Sequence, residues 1–336
     1  MESIGTNVVS STTGKTIVAP KQLSQEEILA SLGAAPTMLD VPDLDVEHVQ
    51  IFGGPGTGKT TLAGLMAEFF HILWFDGDKG LKALQSNLPQ ELLKRIIPIR
   101  IPDNTQYPIF VATMLRVITG RQVDICIEHG IVGCGVCKAA SAQQITVALN
   151  KLPKNWIVVM DSMTQFKASC IAQIMHKLGM LEMGDTDDNA RFDWQNNGWS
   201  MLSNRIEKFG NYIKDLECDF ISISHETMAQ QEDKSNKLVA TAGSDPSSRS
   251  FAKYFGTQVY SQIVNNRHHF ASSSTYANNI QTKSRANVAL EKMKVPSLIH
   301  VFRPKEAEEL LKGSFNEWFF SDRKGPQPKP KEIISV

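Results

Sequence analysis

The stretch Val49-Gln-Ile-Phe-Gly53-Gly-Pro-Gly-Thr-Gly58-Lys59-Thr60-Thr61 is a complete G-x-x-x-x-G-K-T loop between two apolar segments. It constrains the fold because such a loop works only where a strand turns into a helix. Gly53, Gly56 and Gly58 permit backbone conformations in which successive N–H groups point inward at a phosphate. Thr60 and Thr61 open a helix whose positive end faces the same anion. Lys59 then reaches the β- and γ-phosphates and the Thr60 hydroxyl ligates Mg²⁺. Both flanks agree: His48 to Phe52 reads as a short buried strand, and Leu62, Leu65, Met66, Phe69 and Phe70 recur at helical spacing. Gly53, Gly54, Pro55, Gly56, Thr57, Gly58, Lys59, Thr60 and Thr61 are therefore the expected nucleotide-binding residues, with ATP and Mg²⁺ as cofactors.

From Val49 onward apolar runs alternate with amphipathic stretches. Ile72–Phe75 precedes 81–93, Ile96–Ile101 precedes 107–119, Trp156–Met160 precedes 166–178, and Phe220–Ser224 follows 199–216. That alternation predicts an α/β fold built from parallel βαβ units. Beyond about residue 255 short strand-like runs at 258–264, 269–273 and 287–290 predict an antiparallel continuation of the sheet. Residues 1–47 read as an extension in which Ser24 caps a short helix carrying Ile28, Leu29 and Leu32. Residues 48–303 form the expected core, and 304–336 a C-terminal helix followed by a Pro- and Lys-rich tail that reads as disordered.

Charge narrows the function. Thirty-five basic residues balance thirty-five acidic ones, so bulk positive charge cannot hold this chain on nucleic acid, and any such contact must be local. No apolar run reaches membrane-spanning length and no signal peptide opens the chain, so no membrane partner is expected. Five cysteines, three of them clustered, point to a reducing compartment, read here as cytoplasmic.

Trp156-Ile-Val-Val-Met-Asp161-Ser162 is an apolar strand ending in an acid, where a P-loop ATPase needs a carboxylate beside Mg²⁺. A second strand, Ile72-Leu-Trp-Phe-Asp76-Gly-Asp78, ends in two carboxylates; one of them can orient and deprotonate the attacking water, or both belong to a solvated turn. Together with Ile221-Ser-Ile-Ser-His225 at the end of another strand, these segments resemble the core of RecA-like ATPases. The resemblance implies a mostly parallel sheet flanked by helices, with antiparallel strands in its C-terminal part. It assigns the catalytic carboxylate to Asp78, where the family usually has Glu, and leaves Asp76 as a competitor. It makes His225 the sensor of the γ-phosphate and the following segment, 226–250, a mobile DNA-binding loop. There Arg249 and Lys253, with Lys234 and Lys237, either meet phosphates or belong to a solvated loop. In Thr282-Lys283-Ser-Arg285, the alternating cations Lys283 and Arg285 match those that reach a neighbouring subunit's γ-phosphate in bacterial RecA-type filaments; an exposed basic strand edge is the other reading.

The phrases Phe251-Ala-Lys-Tyr-Phe, Ser284-Arg-Ala-Asn-Val and Lys294-Val-Pro-Ser-Leu bring the resemblance nearest to the phage single-strand-annealing ATPases (Sak-type) within that superfamily. It spans about residues 48–303. It implies a DNA-dependent ATPase that binds single-stranded DNA, acts in recombination as a homo-oligomer, ring or filament, works beside a single-strand-binding protein, and resides in the bacterial host cytoplasm. A helicase-like or packaging motor, or a nucleotide-gated binding module with little turnover, shares the same core motifs.

One run departs from that pattern. Cys126, His129, Cys134 and Cys137 form a C-x₂-H-x₄-C-x₂-C set, which offers Zn²⁺ three thiolates and an imidazole within a possible insertion at 123–140. Alternatively Cys126, in Val123-Asp-Ile-Cys-Ile, is an ordinary buried thiol; Cys170 and Cys218 read as core. In the acidic stretch 185–199, Phe192, Trp194 and Trp199 either stack on bases or pack between helices.

Overall fold

Alternate residues of each apolar strand feed opposite layers, which is why these strands read as unbroken hydrophobic runs. In the computed structural model, which describes residues 46–103, 108–149, 152–178, 194–231, 233–321, 323 and 325–333, Ile72, Trp74, Ile157, Val159, Ile221 and Ile223 enter one buried cluster. Leu73, Phe75, Val158, Met160 and Phe220 enter the other. A strand with both faces covered needs no polar side, the condition met by parallel strands between helical layers.

The strands are β1 (His48–Gly53), β2 (His71–Asp76), β3 (Ile96–Arg100), β4 (Val123–Cys126), β5 (Gln144–Val147), β6 (Trp156–Asp161), β7 (Asp219–Gln230), β8 (Asn236–Ala240), β9 (Thr257–Val264), β10 (Arg267–Ala271) and β11 (Lys283–Ser284). The main sheet runs β10-β9-β1-β7-β6-β2-β3. From β9 to β3 every neighbour is parallel, while β10 and β11 pair antiparallel with β9 and β8 with β7. This is the expected mostly parallel sheet flanked by helices, with its antiparallel strands in the C-terminal part. Strands β4 and β5 form a separate two-stranded ribbon.

Helix α1 (Lys59–Gly64) follows β1, and α2 (Leu81–Asn87) follows β2. The second layer holds α3 (Phe110–Ile118), α5 (Met163–Lys177) and α6 (Trp199–Lys214), whereas α4 (Gly135–Ala139) lies in the β4–β5 insertion. Ser162 starts α5 by accepting the Gln165 N–H at 3.2 Å, an N-cap of the usual type. Among the described residues no helix is long and apolar enough to cross a membrane.

Three expectations need correction. The described residues of 226–250 are mostly regular: β7 extends to Gln230, β8 pairs back on it, and α7 (Asp245–Phe251), capped by Ser244, follows. Small side chains such as Ala229 and Ala240 are buried there beside Val239, so pairing does not require the large apolar residues whose scarcity suggests a loop. Residues 287–290 are a turn entering a short 3₁₀ segment at Leu290–Lys292, with Asn287 at φ 54°; the second antiparallel partner of β9 is β11.

The third correction concerns the C-terminal segment. Helices α8 (Ile299–Phe302), α9 (Ala307–Leu311) and α10 (Phe315–Phe320) belong to the main core, where Leu311 and Phe315 pack in the same cluster as Leu65 and Phe69. The attachment is polar as well as apolar. Glu68, fully buried, accepts the backbone N–H of Phe315 at 2.6 Å and of Asn316 at 2.8 Å, and the Asn316 amide at 2.8 Å. A carboxylate against the unpaired N–H groups of a helix start is favourable on both hydrogen-bond and dipole grounds. Even the Pro- and Lys-rich tail, expected to be disordered, touches the body: the Lys331 carbonyl accepts from Arg95 at 2.6 Å. The extension expected at 1–47 lies outside the described residues up to Asp45.

Glu68→Ala leaves the buried N–H groups of Phe315 and Asn316 without a partner and the Asn316 amide with only the Leu65 carbonyl, so it is expected to lower unfolding stability by about 3 kcal/mol or more, with Glu68→Gln costing less because it keeps one acceptor oxygen. Urea unfolding of the two variants beside the parent checks this. Equal losses would show that the carboxylate's hydrogen bonds are not what holds α10.

Candidate active site

The ends of β1, β2 and β6 meet the middle of β7 at one edge of the sheet because of register. Gly53 pairs with His225, Asp161 with Ile223, and Asp76 with Asp161. The insertion of β7 between β1 and β6 therefore sets the phosphate loop, His225, Asp161 and the Asp76–Asp78 turn around one crevice, beyond the carboxyl ends of parallel strands, where ligands bind in α/β sheets.

The loop itself depends on two glycine requirements. Gly58 is left-handed at φ 95°, and a Cβ on Gly53 would stand 2.0 Å from the Ser261 carbonyl oxygen. Strands β9 and β10 hold the loop from below: the Ser261 hydroxyl donates to the Thr57 carbonyl at 2.7 Å, and His268 Nδ1 lies 2.8 Å from the same oxygen. Lys59 is buried, and its Nζ donates to the carbonyls of Gly53 at 2.8 Å and Gly54 at 2.6 Å. Burial holds its pKa below the ordinary lysine range, while Asp161, Glu226 and Asp78 pull it back up.

At the start of α1 the Thr60 hydroxyl donates to Asp161 Oδ2 at 3.2 Å. Asp161 is buried, and burial together with the charges of Asp78 and Asp76 pushes its pKa up to about 7. A hydroxyl and crowded carboxylates are hard oxygen donors in excess negative charge, which fits Mg²⁺; Thr60 and Asp161 are the residues that would hold it. Asp76 is buried and structurally committed, its Oδ1 accepting the Gly80 N–H at 3.1 Å, and burial raises its pKa. Asp78 is exposed, and its Oδ2 accepts from the Ser162 hydroxyl. The backbone N–H groups of Gly77 and Asp78 both donate to the Asp161 carbonyl, at 2.6 and 3.3 Å, so the two acidic segments are fastened together.

His225 is half-buried. Its N–H donates to Thr164 Oγ1 at 2.9 Å and its carbonyl accepts from the Thr241 N–H at 2.8 Å. Burial, then the Lys59 charge, lowers its pKa. Sequence reasoning misses Glu226 beside it. This carboxylate acts electrostatically on both Lys59 and His225, and its Oε2 is buried with no hydrogen-bond partner. The available signal is an acid directly after His225, masked by a segment whose composition reads as loop.

Other expected residues lie elsewhere. Lys283 pairs with Gln258, three positions before the Ser261 that faces Gly53, and the Arg285 N–H donates to the Gly256 carbonyl at 3.1 Å. Both stand toward the opposite end of the sheet, roughly 10 Å or more from their own phosphate loop at about 3.3 Å per residue. Arg249 lines an open cavity of about 600 Å³ with Lys237, Asp233, Gln231, Pro246 and Ser250. Lys253 pairs with Glu207 at 3.5 Å and lies 4.9 Å over the Tyr254 ring. Trp194 and Trp199 pack edge to face at 5.5 Å; Phe192 lies outside the described residues. The donor atoms of Cys126, His129, Cys134 and Cys137 converge within 4.8 Å of one another.

A sequence model described as "AAA domain" matches residues 47–285, most of the chain and all of this crevice. The chain belongs to the AAA domain family. No curated protein matches it in sequence. Among solved structures it is similar to a prototypical ATPase from the type III secretion system of pathogenic bacteria, at 13% identity over 86% of this chain and 76% of that one, TM-score 0.39. It is also similar to a second solved structure, described as an ATPase domain, at 12% identity over 80% of this chain and 94% of that one, TM-score 0.31. Membership makes this AAA protein a P-loop ATPase, with ATP and Mg²⁺ as its cofactors.

In this AAA domain Lys59→Ala is expected to abolish tight ATP binding, while Asp78→Asn spares binding and lowers hydrolysis about 10²–10⁴-fold, the usual worth of a positioned base. Normal turnover in Asp78→Asn, with loss in Asp76→Asn or Glu226→Gln, would transfer the role. Metal-free protein offers a second check. Folded Asp161 keeps its proton to about 7, whereas the unfolded chain releases it near 4. Between those values the folded state binds the extra proton, so stability falls as pH rises, by at most about 1.4 kcal/mol per unit. Asp219, pushed to about 6 chiefly by burial, has the same sign and remains in Asp161→Asn. The smaller pH slope of that variant in chelator is therefore the readout, and equal slopes would refute it.

Proposed function

We propose that this AAA domain protein is a DNA-dependent ATPase that binds single-stranded DNA, assembles as a homo-oligomer and acts in recombination by annealing strands. The observation that supports it best is one continuous strand. His225 and Glu226 stand beside the phosphate loop on β7, and the same strand runs on to Gln230, where it pairs with β8 and borders the cavity of Lys237 and Arg249. The Thr241 N–H bound to the His225 carbonyl ties the chain leading to α7 back to that histidine. A change at the γ-phosphate moves a rigid hydrogen-bonded ribbon, so nucleotide state and the cationic face are mechanically joined.

In the reaction Lys59 leaves its carbonyl partners for the β- and γ-phosphates, and the inward N–H groups of residues 56–61 hold them. Thr60 and Asp161 would hold Mg²⁺, which would supply charge neutralisation at the phosphate oxygens. Asp78, exposed to solvent and near the metal-binding carboxylate, takes the proton of the attacking water; Ser162 orients it. Lys283 and Arg285, remote from their own loop, serve a neighbouring subunit's γ-phosphate. A second reading, a nucleotide-gated module with slow turnover, is favoured by the short Asp78 side chain being occupied by Ser162.

The decisive measurement is ATPase rate and DNA affinity with single- and double-stranded oligonucleotides of increasing length. Single strands are expected to stimulate turnover, with affinity rising cooperatively with length in the presence of ATP, and with a salt slope near −0.7 per neutralised phosphate. Arg249→Ala and Lys253→Ala flatten that slope and spare ATP binding. ATP-independent, length-independent binding equal for both forms of DNA would overturn the proposal. ATP-dependent DNA binding without turnover would instead establish the gated module. Mixing inactive Lys59→Ala with inactive Lys283→Ala/Arg285→Ala protein is expected to restore activity, since trans-acting cations carry ~10³–10⁵ in rate in other P-loop enzymes. No recovery despite co-assembly would remove the trans role.

A further inference from the structure

The ATPase reading leaves the β4–β5 insertion unused, although it gathers four soft metal ligands, the one such cluster among the described residues. Cys126 ends β4, His129 lies in the turn after it, and Cys134 and Cys137 flank the first turn of α4. His129 Nδ1 stands 3.9 Å from Cys126 Sγ, 3.8 Å from Cys134 Sγ and 3.2 Å from Cys137 Sγ. One ring nitrogen carries a single proton or a single lone pair and can satisfy one hydrogen bond, so three sulfurs gathered around it are not a hydrogen-bonded network. Donors at the corners of a tetrahedron with bonds of about 2.3 Å to sulfur and about 2.0–2.1 Å to nitrogen lie roughly 3.5–3.8 Å apart. The distances here bracket that edge.

We propose that this chain holds one structural zinc ion through Cys126, His129, Cys134 and Cys137. Three thiolates and an imidazole select Zn²⁺ over the Mg²⁺ that suits the oxygen-lined crevice, and four protein ligands leave no open position for catalysis. The insertion also needs such a link. Val123 and Ile125 reach the main core, but Ile127, Val136 and Ile145 are 50%, 72% and 40% exposed. Two four-residue strands and a five-residue helix bury too little apolar surface to hold themselves, the situation in which metal binding supplies folding energy.

The ion also secures the edge of the main sheet. The His129 carbonyl accepts from Arg100 Nε at 3.0 Å, and the Gly130 carbonyl accepts the Arg100 N–H at 2.7 Å. Arg100 in turn pairs in register with Asp76. The zinc turn thereby clamps the end of β3 beside the strand that carries the acidic pair.

The test uses the full chain purified without chelator and measured by elemental analysis. One zinc per chain is expected. Cys134→Ser and His129→Ala are expected to lose at least nine-tenths of it, while Cys170→Ser, in the core, keeps it; ATP binding reports that each variant is folded. Because a ligand variant can fail to fold, Co²⁺ is also added to reduced, metal-free parent protein, where intense tetrahedral thiolate absorption is expected at one equivalent. Chelator should expose residues 127–144 to protease, and Zn²⁺ should restore protection. Absence of metal in the parent together with no Co²⁺ spectrum, or full zinc content in Cys134→Ser, would overturn the proposal. Loss of DNA binding or ATPase activity alone would not bear on it.

Discussion

Lys59 is a buried cation facing three carboxylates, of which Asp161 is buried, Glu226 half-buried and Asp78 exposed, and the arrangement of the crevice depends on it. Its ammonium group is removed from water, held by the Gly53 and Gly54 carbonyls, and answered by Asp161, Asp78 and Glu226. Such a group is costly where it stands, because desolvation competes with every ion pair it makes. The cost is tolerable only in a site awaiting a polyphosphate, whose charge and the accompanying cation relieve both Lys59 and the crowded acids. Asp161, pushed to about 7, records the same imbalance from the other side.

Everything that places those charges is sheet register. The strand between β1 and β6 is β7, so His225 stands against Gly53, and Asp161 is one strand further with Asp76 beyond it. The layers then make the register stable. Large side chains such as Trp74, Phe75, Phe166, Phe209 and Phe220 are fully buried on the two faces, and a slip by one residue would exchange the two faces of a strand. The C-terminal helices complete one layer through Glu68, a carboxylate lying between the phosphate-loop side of the core and the start of α10. The last part of the chain thus supports the element that follows the nucleotide loop.

The insertion is stabilised in a different way. It reaches the core through Val123 and Ile125, exposes Ile127, Val136 and Ile145, and gathers its four soft ligands in a few turns. The proposed zinc ion would supply the link that a segment of that size lacks, whereas the sheet is held by long-range burial.

Much of this was legible in the residues themselves. The glycine-lysine-threonine loop, the strands that end in Asp76 and Asp161, and the four zinc-type ligands are local patterns that short-range backbone and side-chain chemistry is enough to read, whereas the strand expected to end at His225 runs on to Gln230. Period and length likewise revealed the parallel strands, because a strand covered on both faces must be apolar throughout. Three things were not legible. Glu226 depends on which strand neighbours the phosphate loop; residues 226–250 become a β-ribbon and helix through pairing with distant partners; and Glu68 becomes a helix cap only when residue 315 folds back onto it. Each is a contact between residues far apart in sequence, and composition does not encode the strand order that creates it. The sequence by itself determined the chemistry available, and the tertiary structure decided which groups share a crevice, because register and burial act between segments rather than within them.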